Sequence, residues 1–157
     1  MRSLVILLAS LALALPVPSA LQAQLADAKV LTSEAVKNVM AAAEAEAAAN
    51  GWRLSIAIVD AHGELLAFHR MDGASLPSID IAQAKARTSA RGRRPSKAYA
   101  DRIADGNLAT LALDYMPLQG AVPIIVDDVV VGAIGASGAS SASDEQVAMV
   151  GAAAIHP

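Results

Sequence analysis

Three side chains able to do chemistry crowd into the stretch His69-Arg70-Met71-Asp72-Gly73-Ala74. An imidazole can ligate a metal or carry a proton near neutral pH. A guanidinium offers a bidentate fork to a carboxylate. Arg70 and Asp72 thus read in two ways: as an anchor that holds and orients an acidic ligand, or as a local ion pair that pins a turn, which by itself adds little stability. His69 likewise reads as a ligand-contacting group or as a surface histidine. The other histidines add no metal pattern, because His62 and His69 match no standard zinc spacing and His156 stands beside the end of the chain.

Downstream, seven of the twelve Lys and Arg fall between Lys85 and Arg102. Lys85, Arg87, Arg91, Arg93 and Arg94 are expected to form a basic surface on an acidic protein. That surface is either a solvated helix face and loop or an attractor of carboxylates. The run Gly132-Ala133-Ile134-Gly135-Ala136-Ser137-Gly138 matches neither the dinucleotide fingerprint nor the Walker pattern, so its glycines point to close packing. No nucleophile elbow is present.

The elements that must position these groups follow from periodicity. In Glu64 to Arg70, Leu66, Phe68 and Arg70 share one face while Leu65, Ala67 and His69 share the other, as a strand requires. It pairs in a hairpin with the strand Leu54 to Val59 through the turn Asp60-Ala61-His62-Gly63. Asp72-Gly73 is a turn, and a helix over 79–90 begins behind Pro77. A strand end that feeds a helix start is a place where polar groups and free amides can converge on a ligand.

Before this hairpin, Val36, Val39, Met40, Ala43 and Ala47 form one stripe of a helix within 31–50, capped by Thr32 or Ser33 and ended by Asn50-Gly51. After it come a helix over 95–105, a short one from Asn107 through Tyr115, and a second hairpin, 122–126 and 129–135, around Asp127-Asp128. Pro123 marks an edge position or the first residue of its strand. A small-residue loop, 136–142, precedes a last helix opened by Ser143, whose Asp144 and Glu145 suit the helix dipole. This order predicts an α+β protein, an antiparallel sheet with helices packed on it.

Composition bounds the rest. A length of 157 residues fits one domain. Hydrophobic residues make up 55% but aromatic ones only 3%, and alanine fills 37 positions, so the core is built from small aliphatics. The apolar surplus predicts homo-oligomerisation. A net charge of -3 gives no electrostatic case for nucleic acid. The absence of cysteine excludes disulfides, thiolate metal sites, a cysteine nucleophile and covalent c-type haem attachment.

At the N-terminus, Arg2 is followed by an apolar run from Leu4 to Leu15, then Pro16, Pro18 and the small residues Ala20 and Ala23. This is the pattern of a secretory signal peptide over 1–23, cut after Ala20 or Ala23. It leaves 24–157 as a single domain, periplasmic or secreted, with no membrane insertion after cleavage.

An ordered set of short motifs adds a resemblance. Asp60-x-x-Gly63, Arg70-Met71-Asp72-Gly73-Ala74, Ile81-Ala82, Lys85-Ala86-x-Thr88, Gly120-x-Val122-Pro123-Ile124, Gly132-Ala133-Ile134-Gly135, Ser137-Gly138, Asp144-Glu145-x-x-Ala148 and Gly151 resemble the GlcG and HbpS-like haem-degrading domain family, to which the C-terminal domain of PduO-type proteins also belongs. The likeness runs from about Leu31 to Ile155. Where members often carry Pro-Gly-Gly before Val-Pro-Ile, this chain reads Leu118-Gln119-Gly120-Ala121.

The resemblance implies a profilin-like fold with about five antiparallel strands flanked by helices, assembly into dimers or larger oligomers, and haem or a related tetrapyrrole as ligand. On that reading Arg70 and Lys85 meet the propionates and His69 approaches the iron, in a protein linked to haem degradation, iron handling or sensing. The residues by themselves leave two other readings: an enzyme that moves a proton on an organic acid, with Arg70 holding the carboxylate and Asp72 or His69 as base, and a non-catalytic oligomeric scaffold or sensor accessory.

Overall fold

The structure, a computed structural model, describes residues 28–155. The expected signal peptide and His156 lie outside the described residues. Helix α1 (Ser33–Ala49) is followed by strands β1 (Ser55–Asp60) and β2 (Leu65–Arg70), helices α2 (Ser78–Gly92) and α3 (Lys97–Ala104), a 3-10 turn (Leu108–Ala112), strands β3 (Ala121–Val126) and β4 (Val129–Ser137), and helix α4 (Ser141–Ala152). The strands form one antiparallel sheet in the order β2-β1-β4-β3.

Each hairpin turn is fixed by its aspartates. Asp60 Oδ1 accepts from the amides of His62 at 2.8 Å and Glu64 at 2.9 Å, which closes the β1–β2 turn. Asp127 and Asp128 take φ values of 48° and 60°, the double positive-φ pattern whose twist matches a hairpin. Pro123 sits on β3, an edge strand, where its missing N–H costs no ladder bond to a further strand.

The two faces of the sheet are covered differently. Ile56, Ile58, Val122, Ile124, Ile134 and Ala136 pack with Val36, Val39, Ala43 and Ala47 of α1 and Val147 and Ala148 of α4. On the opposite face Ala57, Val59 and Ala133 meet Ala82, Ala86 and Ala90 of α2, with Phe68 at the margin. An alanine-on-alanine layer requires close approach of backbones. Gly135 makes it possible, since a Cβ there would lie 2.5 Å from the Ala82 carbonyl oxygen and 2.7 Å from the Ala86 nitrogen.

Several elements differ from the sequence expectation. Four strands are present among the described residues, not about five. The stretch before β3 makes no ladder: the Leu113 and Leu118 amides bond locally to Thr110 and Met116, the Met116 amide bonds the Thr88 hydroxyl, and Pro117 has no amide to give. Its short helix is a 3-10 turn that ends at Ala112. The loop expected over 136–142 is shorter, because β4 runs on to Ser137 opposite Ser55 and Ser140, not Ser143, caps α4. Helix α2 continues to Gly92 and stops where Arg93 turns left-handed, at φ 52°.

Candidate functional site

In an antiparallel hairpin the residues just before the first strand must lie beside those just after the second. The pairing of Ser55 with Arg70 and Ile56 with His69 therefore brings the α1–β1 connection against the end of β2. The Met71 amide donates to the Leu54 carbonyl oxygen at 2.9 Å, extending that contact by one residue past β2. The Trp52 amide donates to the Ala47 carbonyl oxygen at 2.9 Å, which ties the connection to α1. Between them opens a cleft of about 660 Å³ lined by Gly51, Trp52, Arg53, His69, Met71, Asp72 and Gly73. Its volume falls within the range of small-molecule sites.

The turn after β2 shapes the floor of this cleft. Gly73 has φ 80°, and a Cβ on it would lie 2.9 Å from Arg53 Cδ and Nη1. The glycine lets the Arg53 side chain lie across the turn. His69 stands at the side, half exposed, with Nδ1 2.5 Å from Glu44 Oε1 on α1. An ionised carboxylate only accepts, so Nδ1 carries the proton in that bond. Nε2 is then the ring nitrogen left for a ligand.

Of the residues singled out from the sequence, His69 and Asp72 come together in the cleft. Arg70 does not line it. It lies on the other face of β2, as strand alternation demands, and among the described residues no ion pair joins it to Asp72.

Lys85 departs furthest from expectation. Expected on a basic surface, it is only 2% exposed. Its Nζ donates to Asp144 Oδ2 at 2.9 Å and to the Ala136 carbonyl oxygen at 3.1 Å. Asp144 Oδ1 accepts the Ala139 amide at 3.0 Å, so the carboxylate is satisfied on both oxygens. The pair links α2 to the start of α4 around the end of the sheet. Gly120, at φ 133°, makes the passage: a Cβ there would lie 2.6 Å from Lys85 Nζ. Arg91, Arg93 and Arg94 do remain on the surface, with Arg91 bonding the His62 carbonyl oxygen and Glu64.

Arg53 has no signal in the strand end taken by itself, and Trp52 stands out in the sequence only as one of its few aromatic side chains. The signal was available in the hairpin itself, which folds the Asn50-Gly51 helix stop back onto Asp72-Gly73. Among the described residues no group of three or more His, Cys, Asp or Glu side chains could hold a metal ion. His69 is the one imidazole among the residues that line this cleft.

Comparison with known proteins follows the same lines. The chain is 39% identical to Protein GlcG of Escherichia coli (strain K12) over 107 residues, 68% of this chain and 80% of that one. The crystal structure of a double mutant of HbpS from Streptomyces reticuli superposes with a TM-score of 0.78 at 29% identity, covering 99% of this chain and all of the other. A crystal structure of a PduOC:heme complex superposes with a TM-score of 0.75 at 26% identity, over 81% of this chain and 96% of its own. A family model described as haem degrading protein HbpS-like matches residues 31–153, and the chain belongs to that family.

Proposed function

We propose that this protein binds haem or a related tetrapyrrole in the cleft between the α1–β1 connection and the end of β2. The observation that carries the reading is His69, a cleft-lining imidazole whose Nδ1 is engaged by Glu44, so that Nε2 would be the nitrogen offered to the iron. That is the arrangement of a metal-ligating histidine with its second nitrogen anchored by a carboxylate. Trp52 supplies a flat apolar side chain and Met71 a polarisable one. Arg53 takes the role of the cation for a propionate, in place of Arg70 and Lys85, which lie elsewhere. A bound haem would bring redox-active iron, and Trp52, Met71, His69 and Arg53 would hold and orient the ring.

The likeness to HbpS and to a haem complex of PduOC supports tetrapyrrole as the ligand class. Export to the periplasm or beyond is part of the proposal and rests on the N-terminal pattern around Arg2, Leu4–Leu15 and Ala23. Among the described residues no helix is long and apolar enough to cross a membrane. Assembly into a homo-oligomer is the third part. Leu108, Leu111, Leu113 and Leu118, all exposed within one short stretch, are its support.

Haemin titration followed by the Soret band tests the site. A saturable, shifted band at a fixed ratio per subunit, weakened by His69→Ala and by Arg53→Ala, is the expected result. A spectrum identical to free haemin at all ratios would remove the reading and turn attention to small organic acids in the same cleft.

A further inference from the structure

Glu44 and His69 come from different elements and meet for no evident reason of stability. Glu44 follows Ala43 on α1, at the margin of the buried stripe Val36, Val39, Ala43 and Ala47. His69 is on the β2 face that looks toward α1, two residues beyond Ala67, which packs on the core. Their side chains are 35% and 50% exposed. An ion pair with that exposure adds little to folding. What the contact favours is chemical: against a carboxylate acceptor Nδ1 is the donor nitrogen, and on a neutral ring the lone pair then falls to Nε2.

We infer that Glu44 is the positioning residue of the haem site, selecting the Nδ1–H tautomer of His69 so that Nε2 is the nitrogen presented to the iron. The inference rests on the haem reading above and deepens it. Glu46, on the same helix, provides an internal contrast. Its Oε1 accepts from Asn50 Nδ2 at 3.0 Å and from Gln146 Nε2 at 2.6 Å and has no bond to His69. A carboxylate of the same charge two residues along α1, on the other side of the helix, is thus taken up by Asn50 and Gln146, and the two can be separated by substitution.

The test uses the purified protein with ¹⁵N-labelled histidine, the His69 ring signals being assigned by their loss in His69→Ala. Without haem, long-range ring correlations should show His69 as the Nδ1–H tautomer in the wild-type protein and in Glu46→Ala. In Glu44→Ala the ring should move toward the Nε2–H form that an unrestrained imidazole favours. Alanine is a strong helix former, so the partly exposed Glu44 site should keep its helix. Haemin affinity should fall about tenfold or more in Glu44→Ala, the usual effect of losing an anchor behind a metal ligand, and stay unchanged in Glu46→Ala. A Glu44→Ala protein that keeps either the Nδ1–H tautomer or the wild-type haemin affinity overturns the inference. A His69→Ala protein that binds haemin with wild-type affinity and spectrum overturns the haem-ligand reading itself, so the two failures are told apart.

Discussion

At the scale of single residues, the proposed haem site divides its work between a ring nitrogen and a guanidinium. Arg53→Ala should lower haemin affinity by a few-fold and flatten its dependence on ionic strength, because an exposed cation acts through a field that salt screens; titrations at low and high salt would measure this. An affinity independent of both salt and Arg53 would contradict the propionate role. Asp60 offers a prediction of a different kind. Burial by itself raises its carboxyl, but the amides of Glu64 and His62, the His62 charge and the Gly63 amide outweigh this and hold it below the ordinary value of 3.8. A depressed folded pKa contributes stability that is present above the unfolded value and is lost as pH falls through the folded one. Replacing Asp60 by Asn should therefore reduce the loss of stability on acidification below about pH 4, as read from melting temperatures across pH 2 to 6. Of these residues, His69 and Asp72 were visible from the sequence because they follow a strand pattern into a turn. Arg53 was not, because its role depends on the hairpin bringing two distant stretches side by side.

At the scale of elements, α2 is held by two devices that only Gly, Ala and one buried charge pair can supply. Gly135→Ala would drive a methyl into the α2 backbone at Ala82 and Ala86, and should cost about 1–3 kcal/mol or more as the helix is pushed off β4. Chemical denaturation would measure it. Removing one partner of a buried ion pair leaves the other charge uncompensated, typically at about 3–5 kcal/mol. Lys85→Met should approach that figure, whereas adding Asp144→Asn should recover part of the loss, since the side-chain oxygen can still accept the Ala139 amide. A Lys85→Met protein as stable as the parent would mean that the pair is not what fixes the approach of α2 to α4. The periodicity of α2 marked Lys85 as one more basic residue of a charged run. Nothing in its neighbours Ala84 and Ala86 indicates that it is the one member of the run turned inward, where Gly120 leaves room.

For the whole molecule, binding to the folded state alone must raise its stability. Haemin at about a hundred times its dissociation constant should add about 2.7 kcal/mol, seen as a raised melting temperature, and His69→Ala should largely abolish the rise. The same preparation, examined by sedimentation, would test assembly: a monomer at all concentrations would contradict the homo-oligomer and leave Leu108, Leu111 and Leu113 as isolated surface residues.

The sequence by itself determined the α+β class, the two hairpins with their aspartate turns, the capped first helix and the family, because periods of two and 3.6 residues and the chemistry of turns are local properties. It also determined that small residues would dominate the core. Tertiary structure decided what local pattern cannot carry: that Arg70 leaves the cleft while Arg53 lies across it, that Glu44 reaches His69 from another element, that Lys85 is buried against Asp144, and that the stretch before β3 bonds to itself and to Thr88 without becoming a fifth strand. Each of these depends on which surfaces meet across the sheet. In an alanine-rich chain, where apolar side chains differ little in size, that choice falls to a few glycines and buried polar groups whose partners lie far away in sequence.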